Sequence, residues 1–511
     1  MRVSLLPLLS MGVLLPALGA AVLGRVYAPE RARRVAVAVA SLSLVLTLGV
    51  LALFQTGGAA GVQAMESWGQ VPGLGLSLRL GVSGMSVVAL LLTALLTLGL
   101  VAAGPRQMLD LATLRALLLT ESAALGFFCA QDLGLMLLFW VAMLLPAEVL
   151  ISRRAKAQPE ARVLRTFRIY LLAGSLPLVA AVVLLGLPGW QSGAQAPLGL
   201  QELLARGVPA PRQTAILALM MLAVAFRMAV VPFHSWLPVL LARGPFGVGL
   251  LMVNAHTGLY LLVQVVMPLL PEAWAAFSPV LEGVGLFCAF YGAVLALAQV
   301  DLRRTVGFLL VSQSGLMLAG LAERNTESLA GALVQSVAAA VPLTGLMLVV
   351  RAIEVRTGTT DMTRLGGLVR RGPRMAALFF LLGIASLGFP GTLSFVGEDL
   401  LLHGILGTHP LVALPLLLTT AINGITFLRA FQRTFLGAPA HGHASVLDTV
   451  EDLLPRERLA ALALCVLAFL GGILPGPLLR LREHEVSALV GPAASTEHAG
   501  AGNHGPAVAS H

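Results

Sequence analysis

The chain carries little charge. Only 11% of its 511 residues are Asp, Glu, Lys or Arg, against about 25% in a soluble domain, so a water-facing surface of ordinary size cannot be built from it. Aromatic residues are scarce at 6%, and there are three cysteines. Cys129, Cys288 and Cys465 each lie inside an apolar run without ligand spacing, which reads as three buried, inert thiols. The sequence has no cysteine-rich cluster, dinucleotide fingerprint or phosphate-binding loop, and so assigns no redox centre, metal or nucleotide to this chain. It also lacks the alternating ten-residue segments of a membrane barrel.

What it has in excess is apolar residues, at 58%. Runs of about 20 of them, each long enough to span a bilayer, recur along the chain. Fourteen candidate spans lie near 3–24, 34–54, 84–104, 112–130, 132–151, 167–187, 214–231, 246–267, 277–298, 304–322, 328–350, 375–396, within 400–430, and 459–478. The expected fold is an all-α polytopic membrane protein with many small residues for close helix packing. The first 24 residues imitate a signal peptide, but the arginine-rich RVYAPERARR that follows favours an uncleaved span.

The net charge of +9 does not point to nucleic acid, because the basic residues sit in alternate loops, after spans 1, 5, 11 and 13 and before span 10. The positive-inside rule puts those loops in the cytoplasm and both termini outside. From residue 482 the composition turns to Ala, Gly and His and reads as a disordered tail. Its His484, His498, His504 and His511 are read as solvated rather than metal-binding.

Two places break the helical pattern with proline beside polar residues: FRMAVVPFHSWLP (226–238) and SLGFPGTLSFVGED (386–399). Paired breaks in corresponding positions of two halves point to an ion path. The main ionisable residues within or beside the spans are Glu121, Glu148, Arg227, His234, His256, Glu398, Asp399 and His403. Each costs about 2.5–3.5 kcal/mol at a helix centre and therefore seeks the bundle interior and a partner. Acids and imidazoles suit a proton relay. Arg227 does not, because a guanidinium keeps its proton; its role is to stabilise a carboxylate or set a local field. Alternatives stay open for several. Glu148 is either a path residue or a helix-end partner of Arg153 and Arg154. Glu398 and Asp399 either line a path or cap the next span. His234 either transfers protons or satisfies the backbone broken at Pro232, and His256 is either a relay or a buried, satisfied histidine.

Over 110–480 the sequence resembles the antiporter-like membrane subunits of respiratory complex I, and within them chain M of bacterial NADH–quinone oxidoreductase. VVPFHSWLP (230–238), MPLLPEAW (267–274), the long stretch 291–318, DMTRLGGL (361–368), LGFPGTLSFVGE (387–398) and LLPRERL (453–459) carry the likeness. It implies two inverted five-helix repeats with helices 7 and 12 broken. The expected organisation is a three-helix segment at 1–110, repeats at 111–270 and 271–435, a loop and last transmembrane helix at 436–481, and the tail at 482–511. The family's fourth-span and twelfth-span acids fall on Glu121 and Glu398. Its fifth-span glutamate falls on Val141, its seventh-span lysine on Arg227 and its eighth-span lysine on His256. Two family histidines fall on Gln313 and Ala339. The resemblance thus implies protons moving along Glu121, Arg227, His256 and Glu398, with His234 nearby and Glu148, two turns beyond Val141, as a substitute acid.

The function so implied is that of an integral subunit of a proton-translocating NADH–quinone oxidoreductase-like complex in a bacterial inner membrane. Flavin, iron–sulfur clusters and quinone would belong to partner subunits, and the translocated ion would be the proton or else sodium. The rival readings are a subunit of a sodium/proton antiporter, a membrane hydrogenase or an inorganic-carbon uptake system, and a non-conducting scaffold.

Overall fold

Short polar residues just ahead of apolar runs set where the helices begin. Asp110, Asp132, Asp301 and Asn325 each accept hydrogen bonds from backbone N–H groups two or three residues on, at 2.8–3.1 Å. They cap α4 (Leu111–Cys129), α5 (Leu133–Ala142), α16 (Leu302–Ala322) and α17 (Thr326–Thr357), satisfying donors that a helix leaves free. The computed structural model describes residues 7–55, 61–71, 75–154, 160–194, 196–254, 256–408, 410–411, 413–438 and 449–490.

The first part contains α1 (Leu8–Leu23), α2 (Pro29–Leu53), a hairpin of β1 (Gln63–Val71) and β2 (Leu76–Val82), and α3 (Gly84–Ala103). After α4 and α5 come α6 (Leu145–Arg154), α7 (Glu160–Phe167), α8 (Leu176–Gln191), α9 (Leu200–Arg206), α10 (Ala210–Arg227), α11 (Trp236–Arg243), α12 (Val248–Asn254), α13 (Thr257–Leu261) and α14 (Met267–Leu269). Then α15 (Pro271–Ala298), α16, α17, α18 (Pro373–Ala385), α19 (Leu393–Thr408) and α20 (Ala413–Phe435) precede α21 (Pro455–Ile473) and α22 (Gly476–Val490).

Ten helices among the described residues are long and apolar enough to cross a membrane, or 11 if the bent α21–α22 pair is one span. The remaining expected spans are filled by the 16-residue α1 and the broken pairs α10–α11 and α18–α19. The chain is therefore a multi-pass helical protein, but its count of full-length spans is below the fourteen expected. Helices 7 and 12 are broken where proline and polar residues fall together. After α10 the chain turns through Ala229 at φ 56° and a cis Val231–Pro232 bond, and Trp236 Nε1 donates to the Phe226 carbonyl at 2.9 Å.

Packing is closest where glycine removes the Cβ. A Cβ at Gly315 would lie 2.3 Å from the backbone N of Ala289, and one at Gly285 2.5 Å from that of Ala319, so α15 and α16 touch backbone to backbone. In a bilayer, where apolar burial gives helices little drive to associate, such contact supplies the cohesion.

Three features depart from the sequence reading. The fold is not wholly helical: the segment between α2 and α3 forms the hairpin, paired from Gln63↔Val82 to Val71↔Leu76. Glu66 on β1 accepts from the backbone N–H groups of Leu9 and Ser10, both at 2.9 Å, and so caps α1 across the sequence. The chain is also not disordered from 482. α22 turns back at 68° to α21 and packs on α3 and α17, because Leu478, Leu479, Leu481 and Val486 supply an apolar face and Arg482 reaches inward. Residues 491–511, with His498, His504 and His511, lie outside the described residues. Third, the eighth span is interrupted. α12 ends at Asn254, and His256 takes the left-handed conformation (φ 50°, ψ 36°) before α13. The sequence reading expected a continuous span there.

Candidate functional site

The two halves of the molecule meet along a line of buried polar side chains, linked through residues that neighbour one another on shared helices. Glu398, in the second turn of α19, accepts from Thr420 Oγ1 of α20 at 3.0 Å. It caps nothing, since α19 starts at Leu393. Its carboxylate leans on the turn of the broken helix, where Gly388 adopts φ +67° and a Cβ would lie 2.5 Å from Glu398 Oε2. One turn along α20, Asn423 Nδ2 donates to Ser312 Oγ of α16 at 3.0 Å. Beside Ser312, Gln313 Oε1 accepts from Gln335 Nε2 of α17 at 2.6 Å. Next to Gln335, Ser336 receives a long 3.5 Å contact from Arg482, and its backbone and Arg482 both face His256. Beside His256, Thr257 Oγ1 accepts from Arg227 Nε at 3.1 Å.

All but the half-buried Thr420 are buried, Glu398 at 9%, His256 at 8% and Arg227 at 4% exposure. Asn423 Oδ1, Gln335 Oε1 and His256 Nε2 have no protein partner. Buried acceptors of that kind are bonded by internal water in most proteins. The line thus holds one acid at one end, one imidazole in the middle with the Arg482 cation beside it, and the Arg227 cation at the other end.

The surroundings of Arg227 differ from the sequence expectation. No carboxylate lies within ion-pair distance of it among the described residues. Its guanidinium carbon stands 4.7 Å from the centre of the Trp140 ring, and Nη2 contacts Met143 Sδ at 2.7 Å. Trp140 and Met143 flank Val141, so α5 holds the cation by π-face and thioether with no acid at that position. A quadrupole and a soft sulfur attract a cation without taking its proton.

The other candidates stand apart from this line. Glu121 is fully buried and faces Ser43 of α2, and both its oxygens lack a hydrogen-bond partner. Glu148 is a helix-end ion pair, though not with Arg153 or Arg154. Its Oε1 accepts from Arg168 Nε at 2.8 Å and Nη2 at 2.6 Å, while Arg154 reaches Asp110 at 3.0 Å. Tied to Arg168, Glu148 does not replace the acid missing beside Arg227. His234 is half-buried, edge-on to Tyr291 with ring centres 5.7 Å apart, and its Nδ1 has no partner. Asp399 and His403 form an exposed i,i+4 pair at 3.4 Å. The three cysteines are buried and free.

Sequence reasoning missed Gln335, Thr420, Asn423 and Arg482. Polar residues at 420 and 423 on one helix face are a visible signal; Arg482 was hidden by its polar neighbours.

Comparison with known proteins identifies the family and agrees with the fold. Residues 130–423 match the family described as NADH:quinone oxidoreductase/Mrp antiporter, TM. The chain is 30% identical to NADH-quinone oxidoreductase subunit M of Pseudomonas aeruginosa over 435 residues, covering 83% of this chain and 84% of that one. It superposes on a chain of respiratory complex I from Thermus thermophilus with a TM-score of 0.84 at 29% identity, covering 94% of this chain and all of that one. A chain of the Mrp complex from Dietzia shares the fold, with a TM-score of 0.80 at 22% identity over 96% of this chain and 98% of that one.

Proposed function

Since this chain belongs to the transmembrane family of NADH:quinone oxidoreductase and Mrp antiporter subunits, we propose that it is a membrane subunit of a proton-translocating complex of the NADH–quinone oxidoreductase type. Electron transfer from NADH to quinone takes place on partner subunits that hold flavin and iron–sulfur clusters, and this chain contributes the charge movement. It sits in a bacterial inner membrane with both ends outside the cytoplasm, as its arginine-rich loops require. The proton is the coupling ion in this reading, because Glu398 and His256 are groups that load and release protons, with internal water bridging the amides and hydroxyls between them.

The observation that carries this reading is the series of hydrogen-bonded polar pairs, nearly all buried, between Glu398 and Arg227. Glu398 loads and releases the proton at one end and His256 receives it in the middle. Arg227 does not take part in the exchange. Its fixed charge raises the energy of a second cation near His256, and so biases the proton back toward Glu398. Translocation runs between Glu398 and His256, and the part of the first half around Val141 and Arg227 is an electrostatic stop. Glu121, off this line, is a local acid of α4 that faces Ser43 of the N-terminal segment.

The test is proton pumping by the purified complex in proteoliposomes. With Glu398→Gln, which keeps the Thr420 hydrogen bond but cannot load a proton, pumping through this subunit is lost and the protons moved per electron pair fall. A ratio equal to that of the native complex would defeat the proposal.

A further inference from the structure

The line from Glu398 to Arg227 has a second branch that none of the candidate residues anticipated. His256 lies one helical turn before Tyr260, whose backbone N–H donates to the His256 carbonyl at 3.0 Å. The Tyr260 hydroxyl meets Ser86 Oγ at 2.8 Å and donates to the Phe128 carbonyl at 2.9 Å. Ser86 Oγ lies 3.2 Å from Ser83 Oγ, and Ser83 Oγ accepts from Gln264 Nε2 at 3.1 Å. Tyr260, Ser86 and Ser83 are buried, whereas Gln264 is half-exposed. Three hydroxyls therefore run in hydrogen-bonding contact from the interior to the surface between α3 and the eighth span.

α22 covers this chain. Met85 N donates to Glu485 Oε1 at 3.3 Å. Glu485 Oε2 is buried without a partner, and a Cβ at Gly84 would lie 3.2 Å from it. Three residues earlier, Arg482 is 4% exposed and donates to the Leu333 carbonyl beside Ser336 and His256. Two unpartnered buried atoms thus mark the ends of one polar cluster: Glu485 Oε2 toward the surface that bears the hairpin, and His256 Nε2 inside. Hydroxyls both donate and accept, so such a row passes a proton by exchange, while an arginine set into its wall repels any other cation.

We propose that this cluster is the access route between His256 and the face of the membrane carrying the hairpin and α22, with Glu485 as its surface-side acceptor and Arg482 as a positioning residue. The inference rests on the proposed function. A proton bound at Glu485 Oε2 passes through water to the serine and tyrosine oxygens, each taking one proton and releasing its own, and through water again from the Tyr260 hydroxyl to His256 Nε2. Only O–H and N–H bonds are made and broken, and the reverse sequence releases a proton.

Two measurements on the intact complex test it. In proteoliposomes, Glu485→Gln lowers proton pumping several-fold, Arg482→Lys retains most of it, and Arg482→Gln adds a passive proton leak. Pumping by Glu485→Gln at the native rate would overturn the route. Independently, Ser83→Cys and Gln264→Cys are treated in membranes with methyl methanethiosulfonate, a small neutral reagent, and read by mass. Both cysteines react while the native Cys129 and Cys288 stay unmodified; a Ser83→Cys thiol as inert as Cys129 would refute the route. The labelling does not depend on turnover. Failure of the native complex to pump defeats the proposed function alone, and the labelling then decides the route.

Discussion

Replacing Arg227 with methionine should change stability little, for reasons that can be counted. The guanidinium gains about 2 kcal/mol from the Trp140 ring in a desolvated site and about 1.5–3 kcal/mol from its hydrogen bond to Thr257. Burying it costs about 2.5–3.5 kcal/mol on insertion scales, and methionine recovers that cost while filling most of the stem's volume. The expected net loss is about 1 kcal/mol. A cation paired with a buried acid behaves otherwise: removing it strands the carboxylate and costs about 3–5 kcal/mol. Thermal unfolding of the purified protein, followed by a fluorogenic thiol reagent that reports exposure of the buried Cys129, Cys288 and Cys465, separates the two cases. A loss beyond about 3 kcal/mol for Arg227→Met would refute the carboxylate-free cage. Arg227→Ala is the internal control, because an unfilled cavity costs about 2–5 kcal/mol whatever the charge does.

Other expectations follow from local geometry. Gly84→Ala places a Cβ 1.6 Å from the Leu481 carbonyl oxygen, so α22 must lift; limited proteolysis should cut between α21 and α22 in the variant and not in the native protein. Glu148→Gln removes a half-exposed ion pair with Arg168, should cost no more than about 1 kcal/mol, and should leave proton pumping at the native rate. Asp110, outside the spans, is pushed up by burial, but hydrogen bonds from Thr113 and the Arg154 charge outweigh that and hold it below its ordinary value. A lowered carboxylate contributes stability that is present above its unfolded pKa and lost as pH falls through the folded one. Native protein should therefore lose more melting temperature than Asp110→Asn when taken from about pH 7 to about pH 3.

The spans and the breaks at 7 and 12 could be read in the sequence because each depends on local chemistry: an apolar run, or a proline beside a charge. The left-handed backbone at His256 could not, since nothing in an apolar run of this kind singles out a histidine for that conformation. Arg227 was visible as a costly cation, but its partners were not. Trp140 and Met143 look like ordinary core residues, and only the fold brings them from α5 to α10. Glu148 was legible as a helix-end pair and misread in its partner, because Arg168 arrives from the next span whereas Arg153 and Arg154 are merely near in sequence. α22 was lost to composition. Glu, His and Arg at 482–485 read as solvated, yet the helix needs one apolar face, and its arginine spends its charge on a carbonyl deep in α17.

That last helix also has a place in time. α22 is the last of the described helices to leave the ribosome, after every apolar span has been made and inserted. Until it docks, the Leu333 carbonyl has no Arg482 to donate to it, and the hydroxyls of Ser83 and Ser86 lie open on one side. A chain stopped short of residue 476 would keep all its spans and still lack the arginine that repels stray cations. Its defect would be a current across the membrane rather than a failure to fold, and the bundle is thereby sealed only after its last apolar span has been inserted.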